Sequence, residues 1–221
     1  GIRLAEEAGA DVTGLTLSTE QQRVATQRAR ERGVSEAVRF RLQDYREHTG
    51  RYDRIVSVGM FEHVGRAHHR TFFEQVKRLL APDGIALIHS IGSFTPNGRN
   101  PWIQRYIFPG GRIPTLSEIG DAAGKGGLIT ADVEVWRLHY AHTLREWQRR
   151  FQNRREAVLE RFGERFYRMW TFYLASCEAA FRARGMAVFQ FQLSPSLDAV
   201  PLTRDYLYAQ EAAGQRRIRP T

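Results

Sequence analysis

The run YDRIVSVGMFEHVG, residues 52–65, decides how the chain is read. Its first half, Tyr52 to Val58, has the nearly unbroken apolar character of a central strand in a parallel sheet, covered on both faces. Its second half sets Glu62 and His63 between Gly59 and Gly65, where neither a carboxylate nor an imidazole has an obvious packing duty. A carboxylate in a glycine-flanked loop after a buried strand is costly unless it is paired or used. The glycines give the backbone freedom to present it. In open parallel sheets, ligands sit at such carboxyl ends of strands.

Working outward, ADVTGLT at 10–16 is β-rich, and Ser18 followed by Gln21 predicts a capping-box start for a helix over 19–32, ended by Gly33. AVRFRL at 37–42 alternates as a half-buried strand does. RTFFEQVKRLL at 70–80 repeats its apolar residues at helical spacing, PDG at 82–84 supplies turn chemistry, and IALIHSIGS at 85–93 reads as another buried strand. Strands and helices in alternation predict an α/β fold in one domain spanning 1–221. Residues 94–127, rich in Gly, Pro and aromatics without periodicity, predict an irregular segment covering a site. After a strand at 129–138, apolar residues from Leu144 to Phe181 recur every three, four or seven positions, predicting a helical cover over roughly 139–185 that Gly163 divides. MAVFQFQLS at 186–194 alternates as a last strand with Phe189, Phe191 and Leu193 on one side, and 195–221 is a polar tail.

Composition bounds the function. The 221 residues are 42% hydrophobic and 26% charged, as in globular proteins, and no apolar run approaches the roughly 18–20 residues of a membrane-spanning helix. The net charge of +9 is carried by arginine, with lysine only at Lys77 and Lys125. A solvated basic face accounts for it, and so does attraction to polyanions, either phospholipid head groups or nucleic acid. A single cysteine, Cys177, excludes an internal disulfide framework, suits a reducing compartment and falls in the apolar helical stripe as a packing residue. His63, His68 and His69 complete no zinc-like ligand set, so no metal is expected. GIRLAEEAGA at 1–10 reads as the tail of a helix feeding a strand, so an upstream piece is expected.

The strand-end rule gathers polar and titratable residues on one rim: Thr16 to Ser18, Gln43 with Asp44, Gly59 to Gly65, and His89 to Ser93. Individually these are ambiguous. Asp44 suits a turn cap, and His89 suits a hydrogen-bonded core histidine.

DRIVSVGMFEHVG at 53–65, LIHSIGS at 87–93, PWIQRYIFPGG at 101–111, FRARG at 181–185 and VTGLTLSTEQQ at 12–22 together resemble the cyclopropane-fatty-acyl-phospholipid synthase family, through nearly the whole chain. The resemblance implies a Rossmann-like S-adenosylmethionine methyltransferase, similar to the mycolic acid cyclopropane synthases and acting on an unsaturated acyl chain of a membrane phospholipid. It implies that Thr16 and Gln21 contact the ribose and amino-acid side of the cofactor and that Gln43 and Asp44 hold adenine. It further implies that Glu62, His89 and Tyr140 cluster around a bicarbonate ion, with Ile91 lending a backbone contact and His63 adjacent. Such chemistry places a methyl sulfonium against a cis double bond in a dry pocket, forms a carbocation, and removes a proton from the new methyl group to close a cyclopropane ring. Trp102, Tyr106, Phe108 and Tyr140 are the aromatic candidates for stabilising the cation.

The family's first strand and its Gly-rich loop, with an N-terminal region bearing an active-site cysteine, are expected before Gly1, and Cys177 in the late helix is not expected to replace that cysteine. The chain alone is therefore expected to bind cofactor poorly and turn over little. A bacterial, cytoplasmic protein associated peripherally with the inner membrane face and able to form a homodimer completes the expectation. Two other functions fit the sequence: a lipid C-methyltransferase giving a methyl-branched product, and a non-catalytic basic module binding nucleic acid, for which no recognised motif is present.

Overall fold

The computed structural model describes residues 1–96, 98 and 100–209. The chain falls into two compact units, Gly1–Gly50 and Arg51–Thr221. The polar tail expected over 195–221 is described only to residue 209, and its remainder lies outside the described residues.

In the first unit a short helix α1 (Ile2–Ala8) leads to β1 (Val12–Thr16), α2 (Thr19–Glu31) and β2 (Val38–Leu42). β1 and β2 pair in parallel, with Thr16 opposite Leu42, so both carboxyl ends lie at one rim. Ser18 caps α2 by accepting from the Gln21 N–H at 3.2 Å. The reciprocal half of the capping box is not formed. Gln21 Oε1 instead accepts from the Thr16 hydroxyl at 2.8 Å, and that hydroxyl also accepts from the Ser18 N–H at 3.1 Å.

The second unit is built on a four-stranded sheet in the order β3-β4-β6-β5. Its strands are β3 (Tyr52–Val58), β4 (Leu80–Ser93), β5 (Ile129–Trp136) and β6 (Met186–Ser194). β3 runs parallel to β4, whereas β6 is antiparallel to both β4 and β5. Phe189, Phe191 and Leu193 are buried as the alternation predicts, with Ala187 on the same face, but Val188 and Ser194 on the opposite face are buried too, because β6 is central and covered on both faces there.

Three expectations are corrected. β3 is an edge strand of its sheet, with Val56 and Val58 more than half exposed; among the described residues no element of the second unit covers that side of the apolar run. The PDG turn is absorbed into β4: Leu80 faces Tyr52 and Ile85 faces Arg54, so the extra residues form an irregularity in the ladder. Residues 94–127 are not without helix, since α4 (Pro101–Tyr106) and α5 (Leu116–Lys125) lie inside them. Thr115 and Glu118 cap α5 reciprocally, a signal present in the sequence, while Gly120 and Gly124 dilute its helical pattern.

Helix α3 (His69–Leu79) precedes β4, and α6 (His139–Gln152) and α7 (Arg155–Ala183) form the long helical segment. Gly163 breaks α7 with φ 77° and ψ 169°, a conformation open essentially to glycine alone. Ala141 and Leu144 of α6, Leu174 and Phe181 of α7 and Val188 of β6 form one buried cluster that fixes the helices on the sheet.

Candidate active site

The sequence after β3 folds as chemistry and sterics require. Gly59, at φ 66°, turns the chain while its N–H extends the β3–β4 ladder to His89 O at 3.0 Å. One 3-10 turn over Phe61–His63 follows. Phe61 is fully buried against His69, Phe72 and Phe73, with ring centroids 4.4–5.2 Å apart. This anchor forces its neighbours to opposite sides: Glu62 inward, His63 outward against Phe108 at 6.0 Å. Gly65, at φ −57°, holds an ordinary conformation, so only Gly59 needs its glycine for backbone freedom.

Glu62 is 9% exposed. Its Oε1 accepts from the Ile91 backbone N–H at 2.6 Å, and its Oε2 is buried with no partner among the described residues. An orphaned carboxylate oxygen in such a place is costly and marks a position for a donor. The Ile91 backbone, expected to contact an ion, here gives its N–H to Glu62. The Arg112 N–H donates to Glu62 O at 3.3 Å and ties the turn to the segment before α5.

His89 and Tyr140 both feel the Glu62 charge. Burial pushes the His89 pKa below the usual imidazole range, opposed by Glu62, which leaves a neutral ring at pH 7. Gln190 Nε2 lies 3.0 Å from His89 Nδ1; an amide nitrogen only donates, so in this orientation Nδ1 accepts and the ring proton sits on Nε2. Burial raises the Tyr140 phenol, and the charges of Glu62 and Cys177 raise it further, so Tyr140 is a protonated donor. Glu62, His89 with Ile91, and Tyr140, from three separate parts of the sequence, are thus brought into one neighbourhood.

Three members of this neighbourhood were not among the site residues expected from the sequence. Tyr173 and Cys177 lie four residues apart on one face of α7, and both belong to the apolar cluster. Burial pushes the Tyr173 phenol up, with the charges of Cys177 and Tyr140 adding, and pushes the Cys177 thiol up to about 11. Cys177 does pack as expected, yet its late place in the chain does not distance it from Tyr140. Gln190 could have been found as an amide interrupting the apolar residues of β6. Of the other aromatic candidates, Trp102 packs on Phe172 at 4.8 Å, while Tyr106 and Phe108 are 42% and 43% exposed. Only Tyr140 of the four is within the buried group.

In the first unit, the Gln43 N–H donates to Thr16 O at 3.1 Å, so Thr16, Gln21, Gln43 and Asp44 share the β1–β2 rim. Gln43 Oε1 is held by His48 Nδ1 at 2.9 Å. Asp44 caps the turn Tyr45–Glu47, as one reading allowed, and its hydrogen bonds from the Arg46 side chain and backbone lower its pKa to about 2. An ionised acceptor, an amide and a hydroxyl at the ends of parallel strands fit the polar edge of a nucleoside.

The chain resembles the cyclopropane synthase MmaA2 from Mycobacterium tuberculosis with a TM-score of 0.81 and 30% identity, over 86% of this chain and 72% of that one. The mycolic acid cyclopropane synthase CmaA1, complexed with SAH and CTAB, gives a TM-score of 0.80 at 30% identity, over 87% and 72%. The fold is that of the α/β S-adenosylmethionine-dependent methyltransferases. Residues 2–191 match the mycolic acid cyclopropane synthetase family, and the chain belongs to it. Cyclopropane-fatty-acyl-phospholipid synthase of Escherichia coli (strain K12) is 39% identical over 196 residues, 88% of this chain and 50% of that protein. Tuberculostearic acid methyltransferase UfaA1 of Mycobacterium tuberculosis is 41% identical over 194 residues, 84% and 45%. The chain spans about half the length of these curated relatives.

Proposed function

We propose that the chain serves the transfer of a methylene group from S-adenosylmethionine to the cis double bond of an unsaturated acyl chain in a phospholipid, forming a cyclopropane ring. The observation that carries this is Glu62: a buried carboxylate whose Oε2 has no partner, beside a neutral His89 and a protonated Tyr140. The family match runs through both compact units, which supports one methyltransferase domain with the segments 94–127 and 139–185 as its cover. Access to the lipid would be peripheral, from the cytoplasmic side; among the described residues no helix is long and apolar enough to cross a membrane.

Thr16 and Gln21 would hold the ribose and amino-acid side of S-adenosylmethionine, and Gln43 and Asp44 its adenine; when bound, the cofactor supplies an electrophilic methyl group. Glu62 Oε2, His89 and Tyr140 would hold bicarbonate, which supplies a weakly nucleophilic base. Glu62 accepts a hydrogen bond, and the un-ionised Tyr140 donates one. Phe181 and Trp147 pack on the Tyr140 ring, at 5.2 and 6.0 Å, and help exclude the water that would trap a cationic substrate. Keeping Tyr140 a phenol rather than a phenolate, and tying up the free ring nitrogen of His89 in the Gln190 hydrogen bond, keeps strong nucleophiles out of the neighbourhood.

Glu62→Gln in the full chain is expected to lower turnover by roughly 10²–10³-fold while cofactor affinity and circular dichroism stay unchanged. An unchanged rate of cyclopropanation on detergent-dispersed lipid would refute the role. The 41% identity to a protein named a methyltransferase supports a second outcome, a methyl-branched product. Mass spectrometry of the product lipid separates the two.

A further inference from the structure

Two parts of the second unit carry cations without any acid. From Gly84 through Ser117 there is no aspartate or glutamate, and from Arg165 through Cys177 there is none either. These segments meet where the Trp102 ring of α4 packs edge-on against Phe172 of α7, 4.8 Å between centroids, and against Tyr106 at 5.5 Å. Around that contact Tyr106 and Phe108 are nearly half exposed, Phe172 is 55% exposed, and Arg105, Arg165 and Arg168 are exposed. Arg165, Arg168 and Phe172 are spaced three and four residues apart and share one face of α7. The Arg105 guanidinium lies over the Tyr106 ring at 5.5 Å. None of these three arginines joins an ion pair among the described residues, in contrast to Arg145 and Arg182, which both hold Glu178.

An exposed aromatic patch marks an interaction surface but does not say with what. The arginines decide it. Guanidinium groups suit phosphate oxygens, and aromatic rings beside them suit the headgroup level of a bilayer, where an apolar body and a polar neighbour are both satisfied. We propose that this face of α4 and α7 seats the protein on an anionic phospholipid bilayer. The position is apt. Phe108, on the patch, touches His63 of the Glu62 turn at 6.0 Å and Tyr173 of the buried cluster at 6.3 Å. Rings continue inward from Tyr173 to Trp170 at 4.9 Å. A nucleic acid would meet the same cations, but an apolar path leading from them toward the candidate site suits an acyl chain. The proposal deepens the function proposed above and rests on it for the substrate being a membrane lipid.

The test is sedimentation of the full chain with sucrose-loaded vesicles of phosphatidylglycerol mixed with phosphatidylcholine, or of phosphatidylcholine alone. Strong partition onto the anionic vesicles is expected. The pair Arg165→Glu and Arg168→Glu should lose roughly thirtyfold or more, following the typical contribution of each surface-proximal arginine. Phe172→Ser should lose about tenfold. The control pair Arg28→Glu and Arg30→Glu, exposed on α2 and equal in charge change, should lose no more than about threefold. Circular dichroism verifies that each variant is folded. Equal losses for the two pairs, equal partition onto both lipids, or loss of RNA binding with vesicle binding intact would each overturn the proposal. Partition requires no turnover, so its failure leaves the Glu62 chemistry standing, and failure of Glu62→Gln on dispersed lipid leaves the docking face standing.

Discussion

One added methyl group should have opposite effects at two glycines. At Gly92 of β4, a Cβ would lie 2.6 and 2.7 Å from the nearest ring carbons of Phe189 and 2.9 Å from Pro114 O. Neither neighbour has room to retreat. Phe189 is fully buried and sits edge-on to Phe94 at 5.5 Å and Phe191 at 6.5 Å, while Pro114 O is pinned by the Ser93 N–H at 2.9 Å. Overpacking of this sort costs about 1–3 kcal/mol, against roughly 0.4–1 kcal/mol recovered from a stiffer unfolded chain. A net loss of about 1–2 kcal/mol lowers the melting midpoint of a chain this long by roughly 2–8 °C.

Gly124 is exposed within α5, and a Cβ there meets nothing within 4 Å. Alanine should gain about 0.5–1 kcal/mol from helix propensity alone, a rise of roughly 1–4 °C. Thermal unfolding followed by far-UV circular dichroism reads both. The close approach at Gly92 also has a functional side, because the preceding Ile91 N–H holds Glu62 at 2.6 Å. A shifted β4 would loosen that bond, so Gly92→Ala should lower activity as well as stability, and Gly124→Ala should leave activity alone. A Gly92→Ala protein as stable as the parent would refute the packing argument.

Two further outcomes follow from titratable groups. His48, His69 and His89 are each held below the usual imidazole range, burial being the first cause in all three. A depressed folded pKa means that the unfolded chain takes up the proton first. Stability is therefore full above about pH 6.5 and declines as pH falls below it, by at most about 1.4 kcal/mol per pH unit for each histidine. Urea midpoints measured from pH 8 to pH 5 should drop in the lower half of that range, and a flat profile would count against neutral buried rings. The Cys177 thiol, pushed up to about 11 by burial, should react with a disulfide reagent at pH 8 far more slowly than the same cysteine after unfolding. Equal rates in the two states would show it to be accessible.

How much was legible in the sequence depends on how local each feature is. The α/β order, the Ser18 cap, the Gly163 break and the residues just past strand ends are written in neighbouring positions, so Thr16, Asp44, Glu62 and His89 could be gathered by rule. Helix α5 was missed although Thr115 and Glu118 announced its start, because two glycines weakened the periodicity that a helix is recognised by. The exposed side of β3 was invisible for a different reason: Tyr52 to Val58 reads as covered on both faces, and only the sheet order shows β4 as its one neighbour there. Tyr140 entered through resemblance, and so did the cofactor role of Gln21, whose own pattern pointed only to a helix cap, while Ile91 lay within the strand-end run His89 to Ser93 but gained its role from the resemblance.

Tyr173 and Cys177 show where local reading ends. Their spacing fits an apolar helical stripe, and that is correct as far as it goes, since both pack in the cluster with Leu174 and Phe181. Whether a stripe residue also borders chemistry depends on which strand and which turn lie beneath it, and here β6, α6 and the turn after β3 come from three distant parts of the chain. A polar atom on a core-facing stripe acquires meaning only from those long-range partners. The Tyr173 phenol and Cys177 thiol, both driven toward their neutral forms by burial, add polar groups beside Tyr140 without adding charge. Under the proposed chemistry that suits a cationic intermediate: the surroundings are polarisable and aromatic, and neither group is a phenolate or thiolate that would capture it.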